Sequence, residues 1–101
     1  MINTLMEARA YAGRRKNLTH RLKQTLVERL DLDRQIDEIP DDCLLFGVGL
    51  GLDSVDALEI VVAVEGEFGI RVEDGDMQEI RSVNSIVDLI LSRQNRVEDA
   101  R

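Results

Sequence analysis

Leu18, Leu22, Leu26 and Leu30 recur at every fourth position, with Val27 beside them. That spacing lays one apolar stripe along a helix and predicts one over residues 18–32. A second helix is predicted over residues 54–68, with Val55, Leu58, Val61, Val62 and Phe68 as its inward stripe. Asp53 or Ser54 can cap it, Asp56 adds a favourable negative charge in its first turn, and Gly69 stops it. A last helix is predicted over residues 84–94, capped by Asn84 or Ser85, with Ile86, Val87, Leu89, Ile90 and Leu91 as its apolar side. Between the first two helices lies a long connection, residues 33–52. Ile36, Ile39, Leu44, Leu45, Phe46, Val48, Leu50 and Leu52 punctuate it, so much of it should pack on the body. Pro40 and the three glycines at 47, 49 and 51 bar a continuous helix there. Residues 70–81 form a short connection with one or two helical turns around residues 76–80. No segment reads as a strand. The expectation is all-α: a small antiparallel four-helix bundle with a short third helix.

The two ends are patterned less clearly. Ile2, Leu5 and Met6 share a helical face, but the pattern fades at Tyr11–Gly13. Residues 1–17 are therefore either a loose basic extension or a lengthening of the first helix. Residues 95–101 are polar and expected to fray. The domain itself is placed at residues 18–94.

Composition narrows the picture. At 101 residues the chain suits one domain, expected to act as a monomer. Aromatics are only 3% of it, without Trp, so its core must be aliphatic and thin. No apolar run of about 18 residues exists to span a membrane, and no signal-peptide pattern is visible. One Cys cannot form an internal disulfide, which suits a reducing, cytoplasmic setting. One His and one Cys do not supply the usual zinc ligands, and no metal site is expected. The net charge of −7 averages two unlike parts. Residues 1–30 carry seven bases and two acids, a net +5, whereas residues 31–101 carry six bases and 18 acids, a net −12. An acidic body disfavours nucleic acid as the main partner and attracts basic proteins.

Several motifs fail on inspection. Gly47-Val48-Gly49-Leu50-Gly51 lacks the third glycine and the preceding strand of a dinucleotide-binding turn. Asp74-Gly75-Asp76 lacks the ligand spacing of a calcium loop. Ser54 has no neighbouring base to make it a catalytic nucleophile, and the single His20 lies in another helix. Cys43 sits among loop acids that disfavour a thiolate. What remains is Asp53-Ser54-Val55-Asp56 at a helix start. These residues could do no more than cap the helix. Equally, an exposed serine at the positive end of a helix can carry a phosphodiester. The glycine-rich approach would keep its hydroxyl open to a modifying enzyme.

The context favours the second reading. Residues 45–70, Leu-Phe-Gly-Val-Gly-Leu-Gly-Leu-Asp-Ser-Val-Asp-Ala-Leu-Glu-Ile-Val-Val-Ala-Val-Glu-Gly-Glu-Phe-Gly-Ile, strongly resemble the acyl carrier protein family. The likeness continues through Val72, Ile80, Val83, Ile86, Val87, Leu89 and Ile90, and reaches upstream to the Leu18–Leu30 stripe. It implies that Ser54 carries a 4′-phosphopantetheine arm, attached from coenzyme A by a phosphopantetheinyl transferase using magnesium, with Asp53 assisting. The arm's thiol would hold acyl intermediates as thioesters. The protein itself would catalyse nothing, and would deliver its cargo to acyl-loading, ketoacyl synthase or acyltransferase enzymes with basic docking patches. The resemblance assigns partner contacts to Val55, Asp56, Glu59, Val62, Glu65, Val72 and Glu79. It assigns an acyl cavity to Phe46, Leu58, Val61, Ile80 and Ile86. Gly66 departs from the family, standing where an acid is usual, and residues 1–17 are an addition. Two alternatives remain: a carrier of aminoacyl or peptidyl groups, and a helical interaction module that is never modified. Gly51-Leu52-Asp53 lacks the Gly-Gly that tends to precede the attachment site in nonribosomal peptide carriers.

Overall fold

The computed structural model describes residues 4–47 and 49–99, together with the side chains up to Gln94. Ile2 and Val48, read above as apolar contacts, lie outside that set. Three α-helices form the body: α1 (Thr4–Arg29), α2 (Ser54–Phe68) and α3 (Val83–Asp99). Two 3₁₀ segments join them, Ile36–Glu38 in the long connection and Asp74–Glu79 as the short third helix of the bundle. Among the described residues there is no strand, only two isolated bridges, Leu44 with Ser82 and Phe46 with Leu52.

The first helix is longer at its start than the leucine stripe predicts. Residues 4–17 continue α1 without a break, so the lengthened-helix alternative holds. Arg14 donates to Gln94 Oε1 at 2.9 Å, and Arg15 pairs with Asp88 at 2.6 Å and reaches Asn84 Oδ1 at 3.2 Å. These contacts dock the basic segment on α3. The hydrogen bond and charge of Asp88 also raise the pKa of Arg15. At its other end α1 stops at Arg29, short of the predicted residue 32. Leu32 N–H donates to Val27 O at 3.0 Å, across Asp31 at φ 51°. This is the left-handed closure that normally selects glycine.

The core contains Leu18, Leu22 and Leu26 of α1, Ile60, Val64 and Phe68 of α2, and Val83, Ile86, Val87 and Ile90 of α3. Ile39 and Leu45 pin the long connection to it. The inward stripe predicted for α2 is therefore corrected. Ile60, Ala63, Val64 and Phe68 are buried, while Val55, Leu58 and Val62 are 71%, 65% and 55% exposed. Nearly every face of this helix carries an apolar residue, so periodicity alone does not choose between the stripes. Gly66 leaves α2 continuous, on an exposed face with open space beside it.

The long connection folds back by main-chain bonds. Leu45 N–H donates to Arg81 O at 2.8 Å, Leu50 N–H to Leu44 O at 2.9 Å, and Leu52 N–H to Leu45 O at 3.0 Å. Gly49 is essential to this turn, because a Cβ there would lie 1.7 Å from the Leu44 carbonyl oxygen. The cap of α3 is also corrected: it is Ser82, not Asn84 or Ser85. Ser82 Oγ accepts from Ser85 N–H at 3.1 Å, and Ser85 Oγ accepts from Ser82 N–H at 3.0 Å. The backbone of α3 runs on to Asp99, through most of the segment expected to fray. The 3₁₀ segment before it is clasped by a pair of largely buried side chains, Arg93 with Asp76. Arg93 also donates to Arg71 O at 3.1 Å.

Asp31 holds a left-handed conformation at a cost that glycine avoids. Asp31→Gly should raise stability by about 1 kcal/mol, read as a higher urea midpoint at unchanged slope. An unchanged or lower midpoint would show that the Asp31 side chain contributes something that the backbone geometry does not reveal.

Candidate functional site

Asp53 fixes the start of α2. Its Oδ1 accepts hydrogen bonds from Val55 N–H at 3.0 Å and Asp56 N–H at 3.1 Å. Asp56 Oδ2 returns the arrangement by accepting from Asp53 N–H at 3.0 Å. This reciprocal capping box leaves Ser54 as the first helical residue, exposed to solvent. No hydrogen-bond partner is present for its hydroxyl among the described residues. The glycine-rich turn approaches from the other side, with Gly51 at φ 72°.

The cap alters the electrostatics expected of this helix end. Two of its unsatisfied N–H groups, those of Val55 and Asp56, are already bound to the Asp53 carboxylate. A phosphodiester on Ser54 would meet the helix dipole, but not an empty cradle of amides. It would also have the Asp53 and Asp56 carboxylates for neighbours. Ser54 therefore fits a tethered group that extends away from the helix end better than a buried phosphate. Among the described residues, no cluster of three or more His, Cys, Asp or Glu side chains is placed to hold a metal ion.

The residues assigned to partner contact fall into two sets. Val55 and Val62 are exposed, and the exposed Leu58 stands between them at helical spacing. The acids are mostly engaged within the chain. Asp56 serves the cap, Glu59 pairs with Arg29 at 3.5 Å, and Glu65 Oε2 accepts from Val72 N–H at 2.8 Å. Glu65 and Val72 are thus bonded to each other, and Val72 is half-buried against the core. Glu79 is exposed, with Arg81 4.0 Å away.

The residues assigned to an acyl cavity also divide. Ile80 and Ile86 are buried in the core, and Phe46 and Val61 are half-buried. Leu58 does not join them: it lies on the opposite, outer side of α2, where it lines an open groove. That groove also takes in Arg29, Leu30, Asp31, Val55, Asp56, Glu59 and Val62 and has a volume of about 440 Å³. Sequence reasoning missed Arg29 and Leu30 as neighbours of this site. The available signal was the 55, 58, 62 spacing, which marks a second apolar face on α2.

The chain's similarities agree with this geometry. Residues 20–90 match the family model described as the phosphopantetheine attachment site. An acyl carrier protein of Saccharopolyspora erythraea is 36% identical over 87 residues, which cover 85% of this chain and 87% of that protein. An acyl carrier protein of Buchnera aphidicola is 32% identical over 78 residues, covering 77% of this chain and 94% of that one. The crystal structure of an acyl carrier protein from Thermotoga maritima superposes with a TM-score of 0.67, over 82% of this chain and 93% of that one, at 24% identity. That superposition bears on the fold, and the sequence matches bear on the family. With the serine at the head of α2 exposed and the bundle around it shared, the chain belongs to the phosphopantetheine-attachment family and, within it, to the acyl carrier proteins.

Proposed function

We propose that Ser54 is the residue that carries the 4′-phosphopantetheine arm, and that the protein acts only as a carrier. The observation behind this is the exposed, unpartnered hydroxyl at the first position of a capped helix. In the attachment step, Ser54 Oγ forms a bond to the β-phosphorus of coenzyme A. 3′,5′-ADP leaves, and the hydroxyl proton passes to a base on the transferase. Both cap bonds of Asp53 fall on Oδ1, so its carboxylate could keep the cap and still assist the transferase, for instance by helping to hold the magnesium ion that the enzyme brings. The arm's thiol then holds acyl groups as thioesters for enzymes of fatty-acid, lipid or polyketide-type synthesis. Its working place is the cytoplasm, in keeping with a single cysteine and no helix able to cross a membrane among the described residues.

Recognition divides between an apolar face and an acidic surround. Val55, Leu58 and Val62 offer the apolar contact. Asp56, Glu59, Glu65 and Glu79 set a negative field that steers basic enzymes toward Ser54. Val72 adds a half-buried apolar contact beside Glu65. An acyl chain sheltered among Phe46, Val61, Ile80 and Ile86 would need core side chains to move, because Ile80 and Ile86 are already packed in the core.

Incubation with coenzyme A, magnesium and a broad-specificity transferase should add the mass of one phosphopantetheine group to the wild type and none to Ser54→Ala. Absence of any gain, or a gain by Ser54→Ala, contradicts the assignment and leaves an unmodified interaction module.

The two roles of Asp53 separate by substitution. Asp53→Ala should cost about 1 kcal/mol of stability through the lost cap. Asp53→Asn should stay within a few tenths of a kcal/mol of wild type, since asparagine caps as well, yet slow the modification. Equal modification rates for Asn and Asp would remove the carboxylate from the reaction.

Glu79 tests the steering, because the one ion pair of its side chain is the exposed, 4.0 Å contact with Arg81, of a kind that contributes little to stability. Glu79→Lys should slow modification about threefold at low salt and weaken its salt dependence, at unchanged melting temperature. Unchanged kinetics at low salt would confine recognition to the apolar face.

A further inference from the structure

We propose that the phosphopantetheine arm, before it is loaded, lies folded back in the groove between the C-terminal end of α1 and the outer face of α2. The proposal rests on Ser54 as the attachment residue. The groove begins at Val55, the residue next to Ser54, and continues past Leu58 to Val62. Val62 stands eight residues along α2 from Ser54, about 12 Å of helix, within reach of an extended pantetheine arm. Leu30 and the exposed side chains of Val55, Leu58 and Val62 give the arm's methyl and methylene groups an apolar floor.

Charge favours the same direction. The Val55 and Asp56 amides are bound by Asp53, and the Asp53 and Asp56 carboxylates repel a phosphodiester held at the helix end. The cation in the groove is Arg29, half-exposed and 3.5 Å from Glu59. It can draw the phosphodiester over the rim toward α1. In the interior, Ile60, Val64 and Ile86 are fully buried. Entry there requires packed core side chains to move, whereas the groove is already open. Tethering supplies a millimolar-range effective concentration, so weak apolar contact suffices to fill it. The occupied residues are those proposed to meet partner enzymes. A docking enzyme would therefore displace the arm and release its thiol at the site of use.

The test uses the holo protein in a Cys43→Ser background, so that the arm carries the only thiol. Intact mass first establishes that the arm is attached; failure there overturns the Ser54 assignment, not the groove. With the arm in place, NMR should show NOEs from its methyl and methylene protons to the methyl groups of Leu30, Leu58 and Val62. The holo protein with Leu58→Ser and Val62→Ser, both surface changes, should lose those NOEs. Its thiol should react about fivefold faster with a bulky disulfide reagent, as expected if the arm is mostly bound in the parent. NOEs to Ile80 and Ile86 instead, no NOEs to protein side chains, or thiol reactivity unchanged by the double substitution would each overturn the proposal.

Discussion

The Asp53 carboxylate, closing on the amides of Val55 and Asp56, fixes where α2 begins and so where Ser54 stands. It makes Ser54 the first helical residue. Each residue turns a helix by about 100°, so the helix that opens at Ser54 carries two apolar faces, and packing decides which of them is buried. In the observed frame Ser54 opens to solvent, Ile60, Val64 and Phe68 face the core, and Val55, Leu58 and Val62 form the outer face. The cap thus presents the proposed modification site at the head of a helix whose other faces are the core contact and the proposed recognition surface. The Asp56 carboxylate, bonded back to Asp53 N–H, strengthens the same point from the other side.

The remaining elements hold that helix start in place. Ile39 and Leu45 anchor the long connection, and the Gly49 turn brings its backbone against Leu44. Leu52 N–H donates to Leu45 O, so the segment entering Asp53 is tied to the segment leaving Pro40. On the far side of the bundle, Arg93 clasps Asp76 and the Arg71 carbonyl, and Glu65 holds Val72. These bonds fix the connection between α2 and α3. They also explain why acids that look like free docking charges in the sequence are engaged in the structure. Burial and pairing, not composition, decide which negative charges face a partner. By that measure Glu79 is the freest of the acids assigned to docking.

The sequence made the helical class and α2 legible for a physical reason. Asp53 and Gly69 are strong local signals, and both act where local chemistry predicts. The inward stripe was harder to read because Val55, Leu58, Val61 and Val62 compete with Ile60 and Val64 for the core, and only packing against the rest of the bundle decides. The start of α1 escaped the pattern because residues 4–17 lack a leucine stripe. Their visible anchors, Arg14 and Arg15, bind α3 residues some 70 to 80 positions away. The left-handed Asp31 was equally hidden, since aspartate is an uncommon choice for that conformation. The candidate site was proposed through the family resemblance of residues 45–70. Four capping residues could not by themselves separate a modified serine from a plain helix start.

The central claim is that Ser54 carries the arm in the living cell. Residues 35–71 form one tryptic peptide, bounded by Arg34 and Arg71, and Ser54 is the only serine, threonine or tyrosine in it. The mass of that peptide, from protein isolated from its native cell, is therefore the most direct measurement. The account predicts a peptide heavier by a phosphopantetheine group, with or without an acyl cargo, that fragments by losing the arm from residue 54. A peptide found only at its unmodified mass, or an arm located on any other peptide, would contradict it.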